Sequence, residues 1–160
     1  MNGERCGFGA TMTDPRWLVD EMLGRLARYL RILGYDTEYA QGVDDEAIAR
    51  RASEEGRRLV TRDRRLASRS PGALLVTSPY LLDQLRSVRA AWPSLRLAPA
   101  FVRCTLCNGE LVSARDDRGE GGSPSSHVYR CPQCGHRYWE GTHTRDIRAL
   151  LRTLEATAPP

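Results

Sequence analysis

The chain reads as an α/β protein with a parallel sheet, followed by a small cysteine-rich module and a terminal helix. Three observations predict this. Between residues 15 and 92, short apolar runs and amphipathic stretches alternate four times, the order that builds a parallel sheet with helices on both faces. Two Cys-x-x-Cys pairs appear only afterwards, at Cys104/Cys107 and Cys131/Cys134. The composition, 41% hydrophobic and 28% charged over 160 residues, suits one globular domain with at most a small module attached.

The elements follow in order. Residues 17–20, Trp-Leu-Val-Asp, are an apolar run ending in an acid. Met22, Leu26, Tyr29, Leu30 and Leu33 then recur on one helical face, and Gly34 stops that helix. Thr37–Tyr39 is a short second strand. Asp44 or Asp45 caps a helix to about Glu55, closed by Gly56. Arg58–Thr61 is a third strand, again with an acid behind it, Asp63. A short helix from Arg64 to about Arg69 breaks at Pro71-Gly72. Leu74–Thr77 is a fourth strand, and Ser78-Pro79 supplies a cap and a first-turn proline for a helix to about Ala91. Residues 93–100 are a connector. A last helix from Thr144 carries the stripe Ile147, Leu150, Leu151 and Leu154. Met1–Asp14 has no signal-peptide core and is expected to be a flexible leader. The organisation expected is leader 1–14, α/β domain 15–99, and ribbon with terminal helix 100–160.

The cysteines carry the strongest local signal. Two Cys-x-x-Cys knuckles separated by 23 residues set four thiolates at tetrahedral corners, which suits structural Zn²⁺. Gly109 and Gly135 follow the pairs where each knuckle turns. Iron on the same spacing and disulfides are the alternatives. Cys6 is left over, and an odd thiol argues for reduced cysteines and a metal. Four sulfurs close the coordination, so His127, His136 and His143 are not needed as ligands.

Acids form the second constellation. Asp20 and Asp63 end two predicted parallel strands, and Asp45 opens the helix between them. In open α/β sheets the carboxyl edge is where sites form. Carboxylates converging there repel unless a hard cation, Mg²⁺ or Mn²⁺, neutralises them; such a cation beside a phosphodiester activates water. Arg25 and Arg28, with Arg31, make a slanting ridge on the first helix, and Arg62, Arg64 and Arg65 flank Asp63. Gly24 leaves a bare spot one turn above Asp20. All 24 basic residues are arginine, against 20 acids, a net charge of +4. The absence of lysine excludes Schiff-base and P-loop lysine chemistry; forked guanidinium groups suit phosphates. No apolar run approaches the ~20 residues of a membrane span, so a cytoplasmic protein is expected.

The string Leu18-Val-Asp-Glu-Met-Leu-Gly-Arg-Leu-Ala-Arg-Tyr-Leu-Arg-Ile-Leu-Gly-Tyr-Asp36, the block Glu55-Gly-Arg-Arg-Leu-Val-Thr-Arg-Asp63, both knuckles and Tyr138-Trp-Glu-Gly-Thr-His143 resemble the mutator-seven carboxy-terminal (Mut-seven-C) ribonuclease domain family, which belongs to the PIN-like nucleases. The resemblance implies a PIN-like three-layer sandwich with a zinc ribbon. It also implies a metal-dependent ribonuclease whose acidic positions are Asp20, Asp45 and Asp63. Many PIN-like relatives carry a further acid where Arg64-Arg65 stands here; a fourth carboxylate then comes from Asp83 or Glu46, or is absent. Arg25, Arg28 and Arg62 are expected to hold the RNA backbone, and Tyr138 or Trp139 of the ribbon to offer a stacking surface. The alternative is an RNA-binding adaptor without catalysis that uses the ribbon.

Overall fold

The computed structural model describes residues 14–114, 128–139 and 142–156. Residues 1–13 of the expected leader, with Cys6, lie outside the described residues, as do the polar stretch Asp116–Ser126, His127 and the side chain of His143. Four parallel strands form the main sheet: β1 (Trp17–Asp20), β2 (Thr37–Ala40), β3 (Arg58–Thr61) and β4 (Leu74–Leu75), in the order β2-β1-β3-β4. Trp17 stands opposite both Thr37 and Arg58, so β1, β2 and β3 end level with one another. The helices are α1 (Gly24–Ile32), α2 (Asp45–Glu54), α3 (Arg64–Arg69), α4 (Leu81–Ala91) and α5 (Thr142–Ala156).

Strand alternation divides the core in two. Trp17, Val19 and Val60 face α1, α4 and α5, where Leu26, Leu30, Leu85, Val88, Leu151 and Leu154 are buried with them. Leu18 and Leu59 face the other way, onto Ile48 and Ala52 of α2 and Leu66 of α3. The result is the three-layer α/β/α sandwich that the strand–helix alternation predicts. Each of these buried leucines contributes roughly 1.5–3 kcal/mol. The terminal helix therefore returns to the first core, although the ribbon separates them in sequence.

Element ends follow local chemistry. Gly34, at φ 93°, ends α1; the Tyr35 N–H donates to Leu30 O at 3.0 Å and the Gly34 N–H to Arg31 O at 2.9 Å, closing the orphan carbonyls. The helix expected from Met22 begins instead as a 3₁₀ turn, Glu21–Leu23, because Asp20 caps the Met22 N–H. The fourth strand is two residues long rather than four: the Val76 N–H still reaches Thr61 O, and the chain then turns at Ser78-Pro79. Helix α4 starts at Leu81, with Tyr80 at its cap position. Ser78 is spent on the preceding turn, its hydroxyl accepting from the Tyr80 N–H and donating to Asp83.

Three short antiparallel strands, β5 (Val112–Ala114), β6 (Val128–Arg130) and β7 (Arg137–Trp139), make the second sheet. Its first knuckle docks on the outer rim of β2. Asn108 takes the left-handed conformation at φ 65°, which asparagine tolerates, and its side chain bridges. Oδ1 accepts from the Thr37 N–H at 3.0 Å, while Nδ2 donates to Asp36 at 2.7 Å and Glu38 at 3.1 Å. Arg31 completes the junction. It does not lie on a solvated phosphate-facing ridge but is buried, donating from Nε to Thr37 O and from Nη1 to Thr105 O and Leu106 O. Both rim-facing groups of Thr37 are thus paired, which blunts a sheet edge.

Arg31→Ala would leave three carbonyls without their charged donor. It is expected to cost about 3–5 kcal/mol, read as a drop in thermal midpoint of roughly 10 °C, with Arg31→Lys intermediate. A melt within about 2 °C of the parent would show that the junction contributes little.

Asp36 gives the junction an acid limit. Burial raises its pKa, but hydrogen bonds from Arg57 and Asn108 prevail and hold it below the ordinary value. A depressed folded-state pKa means that the contribution is present at neutral pH and is lost as pH falls from about 4 towards the depressed value. Thermal midpoints should fall on acidification through that window, and Asp36→Asn should flatten the fall.

Candidate active site and metal centre

Asp20 is the best-held acid at the carboxyl edge of the sheet. It is buried. Its Oδ1 accepts from the Met22 N–H, and its Oδ2 from the Arg62 N–H at 3.0 Å and from the Thr61 hydroxyl. The same hydroxyl oxygen accepts from the Asp63 N–H at 2.8 Å. Thr61 therefore ties the acid of β1 to the loop after β3. Asp63 sits at the cap of α3, where Oδ1 accepts from the Arg65 and Leu66 N–H groups at 2.6 and 3.0 Å. Those two backbone donors hold its carboxyl below the usual carboxylate range, so it stays ionised. Its Oδ2 makes no hydrogen bond among the described residues.

The other acids stand further along the same edge. Asp44, not Asp45, caps α2, accepting from the Ala47 N–H at 2.8 Å. Asp45 is exposed in the first turn of α2 and lines, with Glu46, a groove facing Leu66 and Arg69 of α3. It shares no hydrogen bond with Asp20 or Asp63 among the described residues. Asp83, in the loop-to-helix turn after β4, is engaged by Ser78 at 3.0 Å and by Arg86 at 2.8 Å. The fold thus links Asp20 to the backbone of Asp63 through the Thr61 hydroxyl, while Asp45 and Asp83 stand in the first turns of the helices that follow β2 and β4, the two outer strands. Among the described residues, no three carboxylates bring ligand atoms within 4.8 Å of one another.

Arg25 and Arg28 are exposed on α1, and neither forms an ion pair among the described residues. Arg62 is half-buried; its backbone holds Asp20, and its Nε has no hydrogen-bond partner among them. The bare spot at Gly24 is already filled: a Cβ there would stand 3.0 Å from the Tyr39 hydroxyl, which donates to Glu21 O. It offers no approach to another backbone.

The four cysteines do converge. Their sulfurs lie within 4.8 Å of one another, with Cys104–Cys134 at 3.6 Å and Cys107–Cys131 at 3.4 Å. Tetrahedral ligation with ~2.3 Å bonds requires edges of about 3.8 Å; a disulfide requires about 2.05 Å. The donor set fits a metal such as zinc. Backbone hydrogen bonds reach the sulfurs, from Leu106 and Cys107 to Cys104 and from Gly109 to Cys107. Gly109 lets the knuckles approach closely: a Cβ there would displace the Gln133 amide and stand 3.1 Å from Cys131 Sγ. Tyr138 is not a free stacking surface: its hydroxyl lies 3.1 Å from Cys104 Sγ and accepts from the Thr105 N–H at 3.0 Å. Burial pushes the Cys104 thiol up, but the hydrogen bonds from Tyr138, Cys107 and Leu106 outweigh it and bring it down to about 6.

Sequence reasoning missed Thr61, Arg31 and Asn108. The first was visible only as the threonine of a Thr-x-Asp block at a strand end. Nothing local marks the other two.

The family model described as the Mut7-C RNAse domain matches residues 15–151. Neither a curated protein nor a solved structure matches the chain.

Proposed function

Since the chain belongs to the Mut7-C RNAse domain family, we propose that it is a divalent-metal-dependent endoribonuclease of PIN-like mechanism, acting in the cytoplasm. Asp20, Asp63 and Asp45 would hold Mg²⁺ or Mn²⁺, with Asp83 or Glu46 as a further acid. The observation that carries the reading is the Asp20–Thr61–Asp63 link across the ends of two adjacent strands. The donor chemistry fits a hard cation. An open set of carboxylates suits Mg²⁺, which keeps waters and takes substrate phosphate rather than a closed protein cage. When bound, that cation supplies positive charge to activate water and to offset charge on the scissile phosphate.

The chain's own residues divide the remaining work. Thr61 and the Arg62 and Met22 N–H groups orient Asp20. The cap bonds on Asp63 fix one oxygen and leave the other for the cation. Arg25, Arg28 and Arg62 hold the RNA backbone without reading bases. The expected products carry 5′-phosphate and 3′-hydroxyl ends. Residues 15–99 would carry the chemistry, and residues 100–160, with zinc on Cys104, Cys107, Cys131 and Cys134, would brace them. The adaptor reading, binding without cleavage, draws on the described carboxylates, no three of which bring ligand atoms within 4.8 Å of one another. Incubation of the purified protein with mixed cellular RNA, with and without Mn²⁺, separates the two. Metal-dependent cleavage supports the nuclease, and tight binding with intact RNA supports the adaptor.

A further inference from the structure

The large apolar side chains left exposed among the described residues fall in two places: Leu106, Val112 and Trp139 on the cysteine module, and three more at one edge of the main sheet. Met22 (60% exposed), Val43 (40%) and Tyr80 (73%) lie in the loops that leave β1, β2 and β4 at the carboxyl edge. The loop leaving β3, between them, carries Asp63 with Arg62, Arg64 and Arg65. An acid-and-arginine centre is therefore flanked on both sides by apolar surface. Single exposed apolar residues need no explanation; three around one edge do.

The two flanks are firmly mounted. Met22 bonds through its N–H to Asp20 itself. The Gly42 N–H donates to Glu21 Oε2 at 3.2 Å, which ties the loop of Val43 to that of Met22. On the other flank, the backbone of Tyr80 is fixed twice: its N–H donates to Ser78 Oγ, and its carbonyl accepts from the Gln84 N–H at 3.0 Å. Its ring and hydroxyl make no hydrogen bond or ring contact among the described residues. A tyrosine with a stiff backbone and a ring in solvent loses little entropy when a flat partner covers it.

We propose that Tyr80 is a base-stacking residue and that the carboxyl edge takes single-stranded RNA, with a base on Tyr80 and apolar contact to Met22 and Val43 on the far flank. The substrate class rests on the ribonuclease reading above; the residue assignment is additional to it. Three strand spacings of about 4.8 Å separate β2 from β4, roughly 14 Å, across which the arginines meet phosphates while the flanks meet bases. Bases inside a duplex cannot reach an aromatic ring in this way, whereas unstacked bases can.

Binding is measured by fluorescence anisotropy without added divalent cation, on a short single-stranded RNA, on a duplex of the same sequence, and on single strands with one abasic nucleotide at successive positions. Tyr80→Ala should weaken single-strand binding about 5- to 150-fold and duplex binding by less than about twofold; Tyr80→Phe and Tyr80→Trp should retain single-strand binding. At one abasic position, the losses from the missing base and from Tyr80→Ala should fail to add. Unchanged single-strand binding by Tyr80→Ala, equal losses on duplex and single strand, or additivity at every abasic position would overturn the assignment. The two readings fail separately. Tyr80-dependent binding without metal-dependent cleavage removes the nuclease reading alone, and cleavage with Tyr80-independent binding removes the stacking site alone.

Discussion

Replacing Cys131 by serine, or stripping the metal with a chelator, is expected to melt the ribbon and to lower the thermal midpoint of the whole protein by more than 10 °C. Structural zinc contributes about 10–16 kcal/mol in zinc-finger peptides, as much as the entire net stability of an ordinary domain. Among the described residues the ribbon consists of three short strands with few buried side chains, Val128 among them, and the junction at Arg31 and Asn108. Its loss propagates, because the knuckle that carries Cys104 also supplies the carbonyls that Arg31 holds and the asparagine that pairs with Thr37. The measurement is metal content by mass spectrometry beside a calorimetric melt. Stoichiometric iron would correct the metal, and an unchanged melt after chelation would refute the bracing role.

Asp20→Asn should reduce cleavage by about 10³-fold or more while binding to RNA persists through the arginines. It should not be silent for folding. The parent carboxylate accepts from two backbone N–H groups and one hydroxyl; an amide keeps one acceptor oxygen and turns a donor towards one of these groups. A cost of about 1–3 kcal/mol follows. Thr61→Ser should retain most activity, and Thr61→Val should lose both the bond to Asp20 and the acceptor for the Asp63 N–H. Activity and melting are read together on each variant. Full cleavage by Asp20→Asn would remove this acid from the site.

What the sequence made legible was local. Gly34 after a helical stripe, a glycine behind each knuckle, and acids at the ends of two apolar runs each act within a few residues, so their roles are written where they stand. What stayed hidden was contact across distance. Arg31 read as the outer arginine of a helix ridge, a phosphate contact or a solvated face, and its buried role appears only with Thr105 and Leu106, 74 and 75 residues away. Tyr39 occupies the space above Gly24 because β2 lies beside β1, which no spacing reveals. Ser78 and Pro79 carried an ordinary helix-start signal, and the helix still began later, since Asp83 offered the serine a competing partner. The acidic edge was legible as a set of strand ends. The hydroxyl of Thr61 that binds two of its members was not.

The cap on β2 has a consequence in time. Thr37 waits for Asn108, which lies 71 residues further along the chain. At about 5–20 residues per second, a ribosome needs roughly 4–14 s to make that stretch. Until then the outer rim of β2 has no cap and is the kind of surface that recruits strands from neighbouring chains. If the four cysteines hold the proposed metal, the knuckle that covers it closes only once the second pair, Cys131 and Cys134, has also been made. Capping of β2 is thus timed by the ribbon and not by the sheet, and a shortage of the metal proposed for the four cysteines would show first as aggregation of new chains rather than as loss of function in old ones.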